Sequence, residues 1–158
     1  MVMEHGAWDL PSPHVTTITV EAADIDAYDH VNNAVYVTWL DRAAWNHSAA
    51  LGLPVERCLE LDRGMAVRRS IVCYLLPAVL GDTVHVGTWM LTTDTKLRAL
   101  RRFQLRRASD GAALVRAEIE YVCIELSSGR PTRAPVEFRE RYVALADVAL
   151  AYATLPSL

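Results

Sequence analysis

Apolar and polar positions alternate over His14–Glu21 (HVTTITVE), a segment rich in β-branched residues, and predict a first strand. The period then lengthens. Over Asn33–Leu51, Tyr36, Leu40, Ala43, His47 and Leu51 recur at helical spacing, with Trp39, Ala44 and Ala50 beside them, which predicts one long helix. The intervening Ala22–Asn32 is polar and acidic and reads as a loop or short turn, while Gly52 and Pro54 stop the helix. Alternation resumes over Met65–Leu76, Val84–Thr92, Leu97–Arg107 and Ala113–Glu125. Turn residues separate these strands at Pro77 and Gly81-Asp82, at Ser109-Asp110-Gly111 and after Gly129-Arg130-Pro131. Met65, Val67, Arg69, Ile71 and Cys73 are expected on one face of the second strand, with Val72 and Tyr74 on the other. Val136–Leu150 fits a strand or a helix equally well.

A single amphipathic helix cannot bury itself, but an antiparallel sheet with one apolar face can wrap it. The expected class is therefore α+β, with five or six antiparallel strands around one central helix. Residues 1–13, broken by Pro11 and Pro13, are expected to form a flexible arm, 14–145 a single domain and 146–158 a tail. Val72 and Val122, on what reads as the other sheet face, suggest a cover supplied by a second subunit.

Composition narrows the class. The chain has 158 residues, enough for one domain with a real core and too few to expect two. Its net charge of −3 argues against nucleic acid as a partner. The longest apolar run, around Ile71–Leu80, is broken by Pro77 and is too short to span a bilayer. The first residues, MVMEHGAWDLPSP, lack a basic segment followed by an apolar core, so a cytoplasmic protein is expected. Cys58, Cys73 and Cys123 form no CxxC pair, which argues against disulfides and against a structural metal site and suits reduced thiols.

Three segments carry a family resemblance: Asp26–Asp41 (DAYDHVNNAVYVTWLD), Val72–Asp82 (VCYLLPAVLGD) and Glu120–Pro135 (EYVCIELSSGRPTRAP). In this order they resemble the active-site signature, second strand with Gly-Asp turn, and final strand with Gly-Arg-Pro tail of the 4-hydroxybenzoyl-CoA thioesterase family. The resemblance covers roughly residues 15–140. It implies a hotdog fold, thioester hydrolysis of an acyl-CoA or acyl carrier protein, and a site between subunits of a homodimer or homotetramer. The HVNN variant also resembles the acyl-carrier-protein thioesterases of plants. No cofactor is implied beyond the CoA or phosphopantetheine of the substrate.

Thioester hydrolysis needs a carboxylate as nucleophile or base, and donors for the developing oxyanion. The resemblance puts Asp26 at the carboxylate and Asn33 at the backbone N–H that holds the carbonyl oxygen. Unpaired N–H groups around Asn32–Ala34 point outward with the positive end of the helix dipole. Residue chemistry alone also allows Asp26 and Asp29 to act as turn and helix caps. His30, four residues beyond Asp26, suggests the Asp/His pair of a hotdog dehydratase or hydratase, although its spacing and surroundings match that motif poorly, or a histidine bonded to backbone. Asn32 either orients water or holds loop backbone, and Asp41 stands where the family keeps an acid. A non-catalytic acyl-thioester binding subunit is the third reading.

Substrate contacts are assigned to aromatic and basic residues. Tyr36, Trp39 and Tyr74 are the candidate acyl contacts, with Trp45 and Trp89 as further candidates and core packing as the alternative for all five. Lys96, Arg98, Arg101, Arg102, Arg106 and Arg107 crowd into one strand, and Arg130 and Arg133 flank Pro131. Such a patch suits a phosphate-rich CoA or an acidic carrier protein, and equally a solvated strand face.

Overall fold

The computed structural model describes residues 8–94 and 96–158. Five strands form one antiparallel sheet: β1 (His14–Thr19), β2 (Arg63–Tyr74), β3 (Thr83–Thr93), β4 (Arg98–Arg107) and β5 (Ala113–Glu125), in the order β1-β3-β4-β5-β2. The long helix α1 (Asn33–Ala50) packs on one face of it. This is the α+β arrangement expected from the alternation, and the hotdog fold that the family resemblance implies. Tyr36, Trp39, Leu40, Ala43, Ala44 and Ser48 make the buried stripe of α1, at helical spacing. They meet Ile18, Val84, Val86, Phe103, Leu105 and the inward residues of β5. Burial of Leu40 alone contributes about 1.5–3 kcal/mol. Beyond the last turn of α1, Gly52 adopts φ +82°, which lets the chain reverse into Leu53.

Three elements were not resolved by sequence patterning. A helix α2 (Val55–Leu61) precedes β2, and Val136–Leu150 falls into two helices, α3 (Val136–Arg141) and α4, which runs to Tyr152 (Ala146–Tyr152). Cys58 from α2 and Phe138 from α3, with Tyr142 just beyond it, pack with Met90, Ala99 and Cys123 and close one end of the helix-bearing face.

The second strand changes phase. Val67 pairs with Tyr121 and Arg69 with Glu120, so Arg68 is an extra residue and β2 is bulged there. Before the bulge Met65 and Val67 lie opposite Cys123 and Tyr121; after it Val72 and Tyr74 lie opposite Ala117 and Val115. All of these partners belong to the face that carries α1. Val72 and Tyr74 therefore share a face with Met65 and Val67, while Arg69, Ile71 and Cys73 oppose the outward Glu120, Glu118 and Arg116. This corrects the single-face alternation expected for Met65–Cys73, and Val72 packs on the core cluster rather than on the outer face.

The outer face is partly covered by the chain's own ends. Leu10, Trp89, Leu91 and Val148 of α4 form a cluster there, with Trp8 and Tyr152 against it. The ring of Trp8 lies so close to Gly87 that a Cβ at that position would sit 2.6 Å from it. The indole N–H of Trp89 donates to the Pro11 carbonyl at 2.7 Å. Arg116 donates twice to Asp9, at 2.5 and 2.9 Å, and Arg102 reaches both Glu118 at 2.7 Å and Asp9 at 3.6 Å. The Tyr152 hydroxyl donates to the same Glu118. The expected flexible arm is therefore corrected for residues 8–13, which are pinned by burial and charge; residues 1–7 lie outside the described residues. The expected tail likewise holds a packed helix over 146–152.

This clamp generates a stability prediction. Burial pushes the Asp9 carboxyl up, but the hydrogen bond and charge of Arg116, with the charge of Arg102, outweigh it and hold it below its ordinary value of 3.8. Its contribution is thus fully present above that ordinary value and is lost as pH falls through the lower folded one. Asp9→Asn should lower unfolding stability by about 1–3 kcal/mol at pH 7, with a smaller deficit at low pH. Urea unfolding midpoints of both proteins across that range are the check; an equal deficit at every pH would remove Asp9 from this role.

Candidate active site

The segment between β1 and α1 is a small folded loop. A 3-10 turn over Ala22–Asp24 leads into an isolated bridge between Ile25 and Val31. Asn32 N–H donates to the Asp24 carbonyl and Asp26 N–H to the His30 carbonyl, both at 2.9 Å. Asp29 closes the tip with φ +60°, a left-handed conformation that Asp and Asn tolerate. These bonds fix Asp26 one step past the bridge, on a loop that runs directly into α1.

The start of α1 is held from two sides. Asn32 is the N-cap, and its side-chain oxygen accepts from Ala34 N–H at 2.9 Å. The Tyr74 hydroxyl at the end of β2 donates to the Asn33 carbonyl at 3.1 Å. The Tyr36 hydroxyl accepts from Ala78 N–H at 2.8 Å, and Val31 N–H donates to the Ala78 carbonyl at 3.0 Å. Arg107 steadies the same connection through Pro77 and Asp82. Burial pushes both tyrosine hydroxyls above their ordinary pKa, so they stay protonated at neutral pH.

Asp26 is half-buried, and its Oδ1 accepts from Tyr28 N–H at 2.9 Å in an Asx turn. Among the described residues Oδ2 has no hydrogen-bond partner. The backbone N–H of Asn33, the first of α1, also has no acceptor among them and lies at the positive end of the helix dipole. One loop thus carries a free carboxylate oxygen and an unoccupied donor. This pair of groups can attack, or activate water against, a carbonyl while polarising its oxygen.

The other expected site residues divide. Asn32 uses its side-chain oxygen as the cap, and the cap role belongs to it rather than to Asp29. The ring of His30 is exposed and forms no hydrogen bond to Asp26 or to backbone; the two residues meet through backbone alone. Tyr36 and Trp39 are core residues, edge-to-face at 5.2 Å, while Tyr74 is partly exposed against Tyr36. Asp41 is exposed on α1.

The arginine patch does not form as expected. Along β4, alternation sends Arg101 inward with Ala99, Phe103 and Leu105, and Arg98, Arg102 and Arg106 outward. Arg102 is buried by the Asp9 and Glu118 carboxylates, Arg106 lies over the Trp8 ring, and Arg107 is paired with Asp82 and Asp110. Arg98, weakly paired with Glu120 at 3.7 Å, remains exposed, as do Lys96, Arg130 and Arg133. These lie at the far end of the strands. Tyr74 pairs with Val115 and Arg98 with Val122, seven residues along β5, or roughly 23 Å at strand rise. Within one chain, Arg98, Arg130 and Arg133 are not brought to the start of α1.

Comparison with known proteins places the fold in a family. Residues 20–142 match the Thioesterase-like superfamily. The chain belongs to that superfamily. It is similar to the long-chain acyl-CoA thioesterase FadM of Escherichia coli (strain K12), at 27% identity over 130 residues covering 80% of this chain and 94% of that one. Among solved structures it is similar to SAV2348 from Staphylococcus aureus in complex with CoA, with TM-score 0.76, 21% identity, and coverage of 94% of this chain and 89% of that one. It is also similar to Slr0204, a 1,4-dihydroxy-2-naphthoyl-CoA thioesterase from Synechocystis, with TM-score 0.74, 17% identity, and coverage of 83% and 96%.

Proposed function

We propose that the protein hydrolyses acyl-CoA thioesters, with Asp26 as nucleophile or general base and the Asn33 backbone N–H polarising the thioester carbonyl. The supporting observation is the free Asp26 Oδ2 on a loop tied to the first, unoccupied N–H of α1, in a chain of the Thioesterase-like superfamily. Direct attack by Oδ2 on the carbonyl carbon would form an acyl-aspartyl anhydride and expel the CoA thiolate, which takes a proton from solvent; water then cleaves the anhydride. In the other route Asp26 takes a proton from water as its oxygen bonds to that carbon, and the thiolate leaves. In both, negative charge develops on the carbonyl oxygen, where the Asn33 N–H and the helix dipole stabilise it.

Acyl-CoA is favoured over acyl carrier protein because FadM is named for a CoA ester and SAV2348 was crystallised with CoA. Thiol release from both kinds of ester separates the carriers. A hydratase using Asp26 and His30 is disfavoured by the lack of any bond between their side chains; enoyl-CoA hydration in the same assay would revive it. Release of no thiol would leave a binding subunit. A cytoplasmic setting suits Cys58 and Cys123, both free and buried, with thiols pushed up by burial, the latter to about 11. Among the described residues no helix is long and apolar enough to cross a membrane. Localisation of the tagged chain by fractionation checks the compartment.

A homodimer or homotetramer is proposed on three features. Among the described residues the β2 edge of the sheet is unpaired; α1 exposes Val37 and Trp45; and Leu75, Leu76, Val79 and Leu80 are exposed beside the start of α1. Antiparallel pairing of two β2 edges about a two-fold axis would set the Tyr74 end of one protomer beside the Arg63 end of its partner, where Arg98, Arg130 and Arg133 lie. Sedimentation at micromolar concentration should therefore show at least a dimer; an active monomer would sink this assembly. If those arginines hold CoA phosphates, Arg130→Ala or Arg133→Ala should raise KM more than it lowers kcat, as should added salt. A KM that ignores both changes would return them to a solvated surface role.

The decisive test is Asp26→Asn. Asn retains an oxygen for Tyr28 N–H, so the loop survives, but it can neither attack as a carboxylate nor accept a proton. The kcat should fall by about 10²–10⁴-fold or more with thermal stability nearly unchanged. Asp29→Asn, at a left-handed position that Asn accepts, should stay within about tenfold of wild type, or about 1.4 kcal/mol in the barrier. Near-normal kcat in Asp26→Asn, or inactivity in Asp29→Asn alone, would overturn the assignment.

A further inference from the structure

Away from Asp26, a recess of about 70 Å³ that opens to solvent lies beside the second half of α1. Its apolar lining includes Trp45, Met65 and Met90. Its polar lining is unusual for this position. Arg101 is only 3% exposed and points to the α1 face of β4. Its Nη1 donates to His47 Nδ1 at 2.7 Å and lies 3.4 Å from the Thr88 hydroxyl, and Tyr121 lines the same recess. Ser48, bonded to the Tyr142 hydroxyl at 2.9 Å, adds a further polar group.

Among the described residues no carboxylate lies within 4 Å of Arg101. The adjacent Arg102, equally buried, has two. A buried cation without an anion is costly, and hydrogen bonds to neutral groups offset only part of the lost hydration. The groups around Arg101 supply no counter-charge. His47 accepts at Nδ1 and is neutral; burial, then the charges of Arg101 and His14, pull its pKa to about 3. His14, stacked on His47 at 4.9 Å, is also held below its ordinary value, by burial and then by Arg101. Asp41 is the one carboxylate lining the recess, and it sits exposed on α1 without reaching the guanidinium.

We propose that this recess binds a carboxylate carried on an apolar body, with Arg101 as its counter-ion and Tyr121 as a second donor. The apolar lining suits the body, and the fork of donors suits the carboxylate. Two sources share this chemistry: a free carboxylic acid, the class of product that thioester hydrolysis releases, and the distal carboxylate of a dicarboxylyl-CoA. The second source rests on the thioesterase reading; the carboxylate site does not.

Calorimetric titration of the full chain with decanoate and with decan-1-ol is the test. Decanoate should bind at least about tenfold tighter than the alcohol, and Arg101→Met should abolish that preference. Met fills the space with an apolar chain, and replacing an unpaired buried charge in this way is often neutral or stabilising. Tyr121→Phe keeps the ring and should weaken decanoate severalfold, which decides the matter should Arg101→Met fail to fold. Equal binding of acid and alcohol, binding of neither, or unchanged decanoate affinity in the variant that folds overturns the proposal. A lower KM for the mono-CoA ester of decanedioic acid than for decanoyl-CoA, lost in the variant, identifies the distal carboxylate as the source; equal KM values with decanoate binding intact identify the free acid. Should neither ester release thiol, the thioesterase reading fails while the titrations still decide the recess.

Discussion

Burial of α1 against one face of the sheet sets the position of everything else. The helix has 18 residues and runs about 27 Å, and its stripe from Tyr36 to Ser48 leaves little freedom to rotate or slide. Leu40 and Ala43 are fully enclosed, so a shift of one residue would expose them and bury charged Asp41 and Arg42. With the helix fixed, its first turn must fall beside the β2–β3 connection. There Tyr74 reaches the Asn33 carbonyl and Ala78 reaches Tyr36. The loop bearing Asp26 ties to the same connection through Val31. The candidate chemistry therefore sits on a loop, but on one anchored to the most buried helix of the protein, which is how a flexible element gains a fixed geometry.

Charge is distributed under the same constraint. Every second residue of β4 faces α1, and the strand carries four internal or terminal arginines besides Arg98. The outward ones find carboxylates or a ring: Glu118 and Asp9 for Arg102, Trp8 for Arg106. Arg107, at the strand end, takes Asp82 and Asp110. The outward network also binds the two chain ends to the sheet, since Asp9 precedes β1 and Tyr152 belongs to α4. Only Arg101 faces inward, where hydrophobic neighbours and a neutral His47 replace carboxylates. A sheet face can hold a buried cation when one terminus brings an anion to it; among the described residues no such segment reaches Arg101 on the helix-bearing face.

Much of this was legible in the chain. Alternation located four of the five strands to within a few residues, and β5 at both ends, because one buried face enforces strict period two. The helix was equally clear from Tyr36, Leu40 and Ala43. The misses share a cause: they depend on partners distant in sequence. Nothing local marks the bulge at Arg68, which reverses the facing of Val72. The α2 segment VERCLEL has few apolar residues and is held by Cys58 meeting Phe138, eighty residues away. The arm was read from its prolines, whereas Asp9 is fixed by Arg102 and Arg116. The arginine cluster was read as one patch although its own alternation separates Arg101 from Arg98 and Arg102. Asp26 and Asn33 were assigned their roles by resemblance, since one acid before a helix reads equally well as a cap. The cap proved to be Asn32.

That division of roles bears on whether one chain can hold a whole acyl-CoA. The loop and the first turn of α1 occupy the end of the sheet where β2 finishes. The exposed cations follow the other end of β5, roughly 23 Å away by strand rise, and the packed Tyr36–Trp39–Leu40 core separates the two within the protomer. In an antiparallel pair of β2 edges the candidate-site end of each protomer would lie on the same side as its partner's basic end. The bulge at Arg68 lies midway along that edge and turns Arg69 and Ile71 outward, so it shapes the edge that would pair. If two β2 edges pair as proposed, the Asp26 loop and the basic cluster that would serve one substrate come from different subunits, and the sheet edge sets their spacing.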